Sequence, residues 1–254
     1  PEHALSGELL SERLGVSRAQ VWKHVEGLRR RGYAIEGEPG GGYRLVAPPD
    51  RLYAEEIQHG LATRWLAHRF EHLETTDSTN RVAFDLGRQG APHGTTVVAE
   101  GQSAGRGRLG RPFHSPPHQN LYASIVLRPT CSLADAPTLI LGAAIAVADA
   151  AAETLGDRDA VSIKWPNDVL IGGRKTSGIL MESSTEGARI AFAVLGIGVN
   201  LNVDRETFPD DFRAHATSLA SELGRPVERA AFARRLFAAL ERELDLHAAG
   251  GFEA

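Results

Sequence analysis

The chain has 254 residues, a formal net charge of −4 and a single cysteine, Cys131. This length suits a small module followed by one larger α/β domain. The slightly acidic charge means that any nucleic-acid-binding surface must be local, and one cysteine excludes an internal disulfide. We expect no signal sequence and no membrane-spanning run, which favours a cytoplasmic protein without a membrane partner.

The segment from Ser6 to Leu45 has the pattern of a helix–turn–helix. Gly15 stands at the expected turn, and Ser17 is placed to cap the second helix. The glycines and Tyr43 of the segment 40–44 are typical of the tip of a wing. We therefore predict a winged helix over residues 1–47, and we expect its usual first helix to be missing because the pattern begins so close to Pro1. The apolar positions at helix–turn–helix spacing are Leu9, Leu10, Leu14, Val16, Val21, Val25 and Leu28.

A winged helix binds DNA with its second helix in a groove and its wing beside the phosphates. The residues placed for contact with DNA are Ser17, Arg18, Gln20, Lys23, His24, the arginines 29–31 (Arg30 central among them) and Arg44. A module that only packs against a protein partner is the open alternative.

Pro48, Pro49 and Asp50 suggest a linker, so that residues 48–72 serve as linker and lead-in helix and residues 73–254 form the second domain. The segment from Thr76 to Asn80 opens a predicted helix with several possible caps. A β-branched run from Thr95 to Ala99 predicts a strand. The chain closes with a predicted helix over 227–247, with an apolar stripe of Phe232, Leu236, Phe237, Leu240 and Leu244.

Three arginines lie on a glycine-rich loop, Gly105 to Arg111. The loop contains the spacing Gly-x-Gly-x-x-Gly, but Pro112, Pro116 and Pro117 prevent the helix that a dinucleotide site requires. Guanidinium groups supply fixed forks of donors that suit carboxylate and phosphate oxygens. We therefore interpret the loop as an anion clamp; a solvated basic loop is the alternative.

Further strands follow at Leu121–Leu127 and from Val161 into Lys164-Trp165-Pro166-Asn167-Asp168. The residues 169–175 predict a glycine-turned hairpin that returns over 176–182. A strand from Ile190 to Leu195 then leads into Gly196, Gly198 and Asn200. Taken alone, Asn167 and Asp168 are equally typical of a turn in which both side chains bond their own backbone.

Together these motifs resemble the catalytic domain of biotin protein ligases over roughly Leu73 to Asn202. The arginine loop combined with Lys164 to Asp168 is highly specific. The N-terminal part resembles the DNA-binding domain of bifunctional members of that family, which also repress biotin synthesis genes. The resemblance implies an α+β fold: a winged helix–turn–helix followed by a mixed-sheet α/β domain of the biotin/lipoate ligase type. The family's usual C-terminal SH3-like domain is expected to be absent or truncated.

The resemblance also implies the reaction: biotin and ATP form biotinyl-5'-AMP, and the biotinyl group passes to a lysine of a biotin carboxyl carrier protein. Mg²⁺ is expected on ATP, with no protein metal site, and operator DNA and a second copy of the chain are the other implied partners. The biotin-binding residues are then Ser78, Thr79, Asn80, Gln102, Arg106, Gly107, Arg108 and Lys175. The nucleotide-binding residues are Arg111, Phe113 (as an adenine-stacking ring), Lys164, Asn167 and Asn200. Trp165 and the glycines 178, 196 and 198 are expected to let a flat ligand approach the sheet.

The charges of the reactants indicate roles for three side chains. A carboxylate that attacks the α-phosphate of ATP must overcome repulsion between two anions, and Lys175 and Arg108 offer the cations. The acceptor amine must lose a proton, and Asp168 is the candidate base or orienting group. These three are the predicted catalytic residues.

Two other functions remain open from the sequence. A lipoate or octanoyl ligase or transferase shares the general fold, although the three-arginine loop argues against it. A non-catalytic winged-helix regulator that senses a metabolite is the second.

Overall fold

The computed structural model describes residues 4–38, 41–187 and 189–250. The chain forms two compact units, Pro1–Asp50 and Arg51–Ala254. The boundary between them follows the Pro48-Pro49-Asp50 segment.

The described part of the first unit contains two helices and one antiparallel hairpin, as the sequence predicts. Gly15 makes the turn between the helices with a φ of 63°. Ser17 caps the second helix: the Gln20 amide donates to Ser17 Oγ at 3.3 Å, and the Ser17 amide donates to Gln20 Oε1 at 2.9 Å. Gly40 of the predicted wing tip lies outside the described residues. The elements are α1 (Gly7–Leu14), α2 (Arg18–Arg30), β1 (Ala34–Glu38) and β2 (Gly42–Ala47).

Several sequence expectations for this unit need correction. The side chain of Gln20 is committed to the capping box, so it is not free to face a groove. Arg29 donates to the carbonyl of Ile35 at 3.0 and 2.8 Å and thereby ties α2 to β1 instead of reaching outward. Leu14 is 58% exposed, and α1 buries none of its residues, because no described element of this unit covers that side.

The second unit is built on a seven-stranded sheet with the order β3-β4-β5-β9-β8-β7-β6. Only β3 and β4 are parallel; every other neighbouring pair is antiparallel. The strands are β3 (Phe70–Thr76), β4 (Thr96–Gln102), β5 (Leu121–Leu127), β6 (Val161–Lys164), β7 (Asp168–Ile171), β8 (Arg174–Glu186) and β9 (Arg189–Val199). The predicted hairpin turns at Gly172 and Gly173, whose φ values of 53° and 78° match a primed turn.

Helices cover both faces of this sheet. The main core lies between the sheet and the two long helices α5 and α8, and the predicted apolar stripe of α8 is confirmed as buried in it. A smaller core lies under α4, where Ala83 meets Val97, Val126, Phe192 and Val194. The helices are α3 (Ala54–Gln58), α4 (Thr79–Arg88), α5 (Thr138–Leu155), α6 (Asp210–Arg213), α7 (Leu219–Leu223) and α8 (Arg229–Ala248).

The expectation that no run approaches a membrane span was wrong for α5. This helix has 18 residues and, by length and composition only, is apolar enough to cross a membrane. It is rich in alanine, and residues such as Leu139, Ala143 and Val147 are buried against α8 and the sheet. Its apolar character is therefore that of a core helix.

A buried ion pair anchors α8 to β4. Glu100 and Arg229 are both completely buried, with Arg229 Nη1 2.9 Å from Glu100 Oε2. The Leu52 amide donates to the same carboxylate at 2.8 Å, and His72 Nε2 lies 3.2 Å from it. Burial alone raises the pKa of Glu100, but His72, Arg229 and Leu52 outweigh it and lower that pKa to about 2.

We expect Glu100→Gln to destabilise the second unit by about 3 to 5 kcal/mol, because the substitution removes one charge of a completely buried ion pair. Since the folded pKa of Glu100 lies below the unfolded value, its stabilisation is present above the unfolded pKa and is lost as pH falls towards about 2. Urea unfolding of both proteins between pH 7 and pH 3 measures this. The difference in free energy of unfolding between the two proteins should decrease as the pH falls. A difference independent of pH would contradict the assignment.

Candidate active site

A small cleft opens where the start of α4, the end of β4 and the strands β8 and β9 meet. All eight residues predicted to bind biotin line this cleft. Its other lining residues are Phe113, Tyr122, Asn167, Gly178, Ile179, Leu180, Gly196, Ile197 and Gly198. Residues that are up to 120 positions apart in the sequence are thus brought together by the sheet.

The start of α4 forms the polar end of the cleft. The Thr79 amide and hydroxyl both donate to Gln102 Oε1, at 2.9 and 3.1 Å. Ser124 donates to Asn80 Oδ1 at 2.7 Å and to Thr79 Oγ1 at 2.8 Å, while Asn80 Nδ2 donates to Glu182 at 2.9 Å. These linked side chains hold one another in fixed orientations and present paired donors and acceptors to a small polar ligand.

Residues from another strand help to fix the helix start. Ser78 occupies the cap position and is buried, but its side chain makes no capping hydrogen bond. The first helical amide, that of Thr79, donates to Gln102 Oε1, while the Asp77 carboxylate accepts from the Ser78 amide at 2.7 Å and pairs with Arg81. The hydrogen bond from Arg81 is the main reason that the pKa of Asp77 falls to about 2.

The glycines of β9 leave room for neighbouring side chains of the site. The predicted strand ended at Leu195, yet β9 continues to Val199, with Gly196 and Gly198 inside it. A Cβ at Gly196 would lie 2.0 Å from Asn80 Oδ1, and one at Gly198 would lie 2.6 Å from the ring of Phe113. Both positions are therefore glycine because protein side chains of the site pack directly on the sheet.

Phe113 lies inside the cleft. Its ring packs against Gly178 and Gly198 and meets Tyr122 edge-on, with 6.4 Å between ring centroids. This places it among the residues predicted for biotin, and its stacking on adenine stays a prediction that these contacts do not favour.

The arginine loop is a narrow hairpin in this structure. The Gly107 amide donates to the Arg111 carbonyl at 2.7 Å, and the Phe113 amide donates to the Gly105 carbonyl at 2.9 Å. A tight turn, Arg108–Gly110, forms its tip, with φ values of 57° at Leu109 and 71° at Gly110. No α-helix follows it, as the prolines predict, and the next regular element is β5.

The side chains of the Trp-Pro-Asn-Asp turn contact neighbouring segments. This disfavours the alternative in which Asn167 and Asp168 hydrogen-bond only to their own backbone. Asn167 Oδ1 accepts from Arg108 at 3.0 Å, and Asn167 Nδ2 donates to the Ile179 carbonyl at 3.1 Å. Asp168 Oδ1 lies 2.7 Å from Lys175 Nζ. The structure therefore groups the three predicted catalytic residues around one end of the cleft.

Four other predicted residues do not line the cleft, namely Arg111, Lys164, Trp165 and the buried Asn200. Lys164 and Arg111 are exposed at its rim, and Trp165 is 80% exposed, so it cannot form part of the wall. β6 ends at Lys164, so Trp165 lies in the turn before β7, whereas Asn167 and Asp168 contact β8 through the Ile179 carbonyl and Lys175.

Beyond Lys175 lies a second group that the sequence did not reveal. The Lys175 amide donates to the His215 carbonyl at 2.7 Å, and the Thr217 amide donates back to the Lys175 carbonyl at 2.9 Å. This pairing brings the segment 203–217 alongside β8. An apolar cluster fills that segment: Val203, Phe208, Phe212 and Ala216.

Among the buried polar atoms in and beside this segment that have no hydrogen-bond partner in the described residues are His114 Nε2, Asn200 Oδ1 and Arg205 Nε. His114 meets Phe208 edge-on, with 5.7 Å between centroids, and burial lowers its pKa. Asn200 is held by its Nδ2, which donates to the Thr217 carbonyl at 3.1 Å. The only sequence signal for this region was the polar Asn200 at a strand end.

Comparison with known proteins identifies the class. Residues 72–200 match the model of the biotin/lipoate A/B protein ligase family, and residues 1–44 match a model of an HTH domain. The chain belongs to the biotin/lipoate A/B protein ligase family and carries an N-terminal helix–turn–helix domain.

Particular relatives narrow this further. The chain is 39% identical over 248 residues to the bifunctional ligase/repressor BirA of Bacillus subtilis (strain 168), a match that covers 98% of this chain and 76% of the relative. It is 36% identical to the bifunctional ligase/repressor BirA of Salmonella typhimurium, over 95% of this chain and 72% of the relative. A solved biotin protein ligase from Aquifex aeolicus, in complex with biotin and ATP, is 30% identical with a TM-score of 0.62, and the match covers 73% of this chain and 74% of that one.

Proposed function

We propose that the protein is an ATP-dependent biotin protein ligase and also a DNA-binding repressor of biotin genes. The observation that carries the ligase assignment is the convergence of all eight predicted biotin residues on one cleft, with Lys175 where the polar pocket meets the segment 203–217. The bifunctional relatives and the N-terminal helix–turn–helix support the second role.

In the first half-reaction, the fused rings of biotin bind at the polar end of the cleft, where Thr79, Asn80 and Gln102 present amide and hydroxyl groups. The biotin carboxylate then reaches Lys175 and attacks the α-phosphorus of ATP, so that a carboxylate–phosphate bond forms and pyrophosphate leaves. Lys175 and Arg108 offset the charge that gathers on the phosphate. Their cations are in place before the substrates arrive, because Asp168 and Asn167 hold them.

The nucleotide occupies the other side of Lys175. The half-buried rings of His114 and Phe212, which both pack on the buried Phe208, offer a stacking surface. Asn200 Oδ1 and His114 Nε2, which have no partner among the described residues, offer polar contacts to a base or ribose. A buried polar atom without a partner is costly, which is consistent with a ligand that completes it. We assign adenine to this surface in preference to Phe113.

In the second half-reaction, a lysine amine of a biotin carboxyl carrier protein attacks the carbonyl of the mixed anhydride, and AMP leaves. The amine is protonated at neutral pH, since its unperturbed pKa is about 10.4. Asp168 accepts or steers that proton once Lys175 has turned towards the phosphate.

Magnesium is expected to enter with the substrate. Among the described residues, no group of three or more His, Cys, Asp or Glu side chains is arranged to hold a metal ion. Mg²⁺ bound to the oxygens of the triphosphate would neutralise part of their charge. The roles of Lys175, Arg108 and Asp168 above do not depend on it.

Pyrophosphate release on mixing the protein with biotin and ATP tests the ligase assignment directly. Release must depend on biotin, and lipoate and octanoate must not replace it. Transfer of label from biotin to a purified apo carrier domain completes the test. Release without biotin, or release with lipoate alone, would contradict the assignment.

For DNA binding, the exposed side of α2 carries Arg18, Lys23, His24 and Arg30. Arg18 lies at the N-terminal end of the helix, the part that meets base edges in helix–turn–helix complexes. Arg30 lies at the other end, where phosphates are met. We propose that two copies of the chain bind a two-fold-related operator in the cytoplasm.

We expect Arg18→Ala to weaken binding to the operator by about 1 to 3 kcal/mol and to relax its sequence preference. Arg30→Ala should weaken binding to all sequences and reduce the slope of log affinity against log salt by about 1. Titration by fluorescence anisotropy at several salt concentrations, with Arg225→Ala as the control for a charge on the other unit, measures both. Equal effects of the Arg18 and Arg225 variants would contradict the proposed docking.

A further inference from the structure

Glu182 is a half-buried carboxylate on β8, next to the polar end of the cleft. Side chains alternate along a strand, so Glu182 lies on the same face of the sheet as Leu180, which lines the cleft. Glu182 itself does not line it. Asn80 Nδ2 donates to Glu182 Oε2 at 2.9 Å, and no cationic side chain in the described part of the chain pairs with this carboxylate. Its contact with Asn80 is therefore the feature that requires an explanation.

The carboxylate fixes which way round the Asn80 amide is held. The oxygen and the NH₂ group of a primary amide are similar in size, so both orientations fit the same space. An ionised carboxylate only accepts hydrogen bonds, so the end of Asn80 that faces Glu182 must be the donor, Nδ2. The other end, Oδ1, accepts from Ser124 at 2.7 Å. It also lies on β9, where a Cβ at Gly196 would come within 2.0 Å of it.

This orientation decides what Asn80 offers to a ligand. Oδ1 is covered by Ser124 and by β9, whereas Nδ2 has two hydrogens and gives one of them to Glu182. The second hydrogen stays available on a side chain that lines the cleft. Asn80 is therefore a donor, and it suits a carbonyl oxygen. A reversed amide would place an acceptor there and repel that oxygen.

We propose that Glu182 is a positioning residue for biotin: it holds the Asn80 amide so that Nδ2 donates to the carbonyl oxygen of the ureido ring. This inference rests on the proposed ligase function and assigns the direction of one hydrogen bond within it. Glu182 does not touch the ligand, because its effect passes through Asn80. The effect concerns the ureido ring and leaves the carboxylate of biotin and ATP unaffected.

The test inverts the hydrogen bond at position 182 in the full chain. Glu182→Lys replaces a side chain that only accepts by one that only donates, so Asn80 must turn Oδ1 towards it and present an acceptor to the ligand. Glu182→Gln suits either orientation and is the intermediate case. Glu186→Lys, at an exposed acid of the same strand, is the matched control for the change in charge. Thermal denaturation checks that each variant is folded.

Calorimetric titration measures Kd for biotin and for desthiobiotin, which keeps the ureido ring but lacks the sulfur ring. We expect Glu182→Gln to raise both Kd values by about 2- to 5-fold, since only part of the molecules then hold the donor in place. Glu182→Lys should raise both by roughly 10-fold or more, because an acceptor faces the carbonyl oxygen. The kcat of pyrophosphate release at saturating biotin and KM for ATP should stay within about twofold of the parent, as should every value for Glu186→Lys.

The same substitutions in an Asn80→Ala background show whether Glu182 acts through Asn80. There they should change Kd for biotin by less than about twofold, because no amide is left to orient. If the lysine variant does not fold, the glutamine variant gives the same comparison in both backgrounds.

Three results would overturn the assignment. A parent Kd in folded Glu182→Lys excludes a role in biotin binding. An equal rise in Kd with and without Asn80 shows that Glu182 contacts the ligand or supports the fold directly, and an equal loss in KM for ATP shows a general distortion. A parent protein that neither binds biotin nor releases pyrophosphate with it would overturn the proposed function itself, so the two failures are distinguishable.

Discussion

Lys175→Ala should reduce biotin-dependent pyrophosphate release by about 100- to 1,000-fold while biotin binding weakens much less. The reason is that, in the proposed mechanism, the ammonium group acts mainly on charge that develops at phosphorus, whereas the proposed contacts of the biotin rings are Thr79, Asn80 and Gln102 at the polar end of the cleft. Single-turnover release of pyrophosphate and calorimetric titration with biotin measure the two effects separately.

Lys164→Ala is the matched control for this experiment. It removes the same charge from a nearby strand, but its side chain is exposed and does not line the cleft. We expect less than about a threefold change, because screening by water weakens a charge at the rim. Equal losses in the two variants would mean that the general positive field, and not the position of Lys175, supports the reaction.

Asp168→Asn should separate the two half-reactions. Transfer of biotin to the carrier domain should slow by roughly 100- to 10,000-fold, the range for loss of a general base. Pyrophosphate release should slow by only about tenfold, because the amide keeps one acceptor for Lys175 but loses the charge-assisted part of the 2.7 Å contact.

Asp159→Asn, at an exposed acid before β6, controls for the change in net charge. Rates of pyrophosphate release and of acceptor labelling from preformed adenylate give the comparison. If both rates of the Asp168 variant fall by the same factor, Asp168 acts only by positioning Lys175. If neither falls, it belongs to the turn alone.

Local sequence was most informative where function depends on residues close together in the chain. The arginine loop, the Lys-Trp-Pro-Asn-Asp turn and the glycine-turned hairpin are each defined by a few consecutive residues. The structure and the family comparison agree with those motifs. The capping of α2 by Ser17 and the buried stripe of α8 were also predictable from the sequence, because helix caps and helical periodicity are local properties.

Side chains whose partners are distant in sequence could not be predicted from the sequence. Ser124 lies in an apolar strand, and only its contact with Thr79 and Asn80 reveals its place at the site. Gly196 and Gly198 were correctly singled out for a close approach, but the groups that approach are Asn80 and Phe113. The segment 203–217, with Phe208 beside His114, contains no motif. Only its backbone hydrogen bonds to Lys175 show that it lies beside the site.

The sequence by itself determined the class of protein, eight of the residues that line the cleft and the order of the domains, because these follow from short motifs and periodic patterns. Only the tertiary structure decided which of those residues face the cleft: Lys175 and Asp168 meet there, while Lys164 and Trp165 of the same motif turn outward. The physical reason is that strand pairing between β7 and β8 fixes the direction of each side chain, and that pairing joins residues through hydrogen bonds that no local pattern specifies.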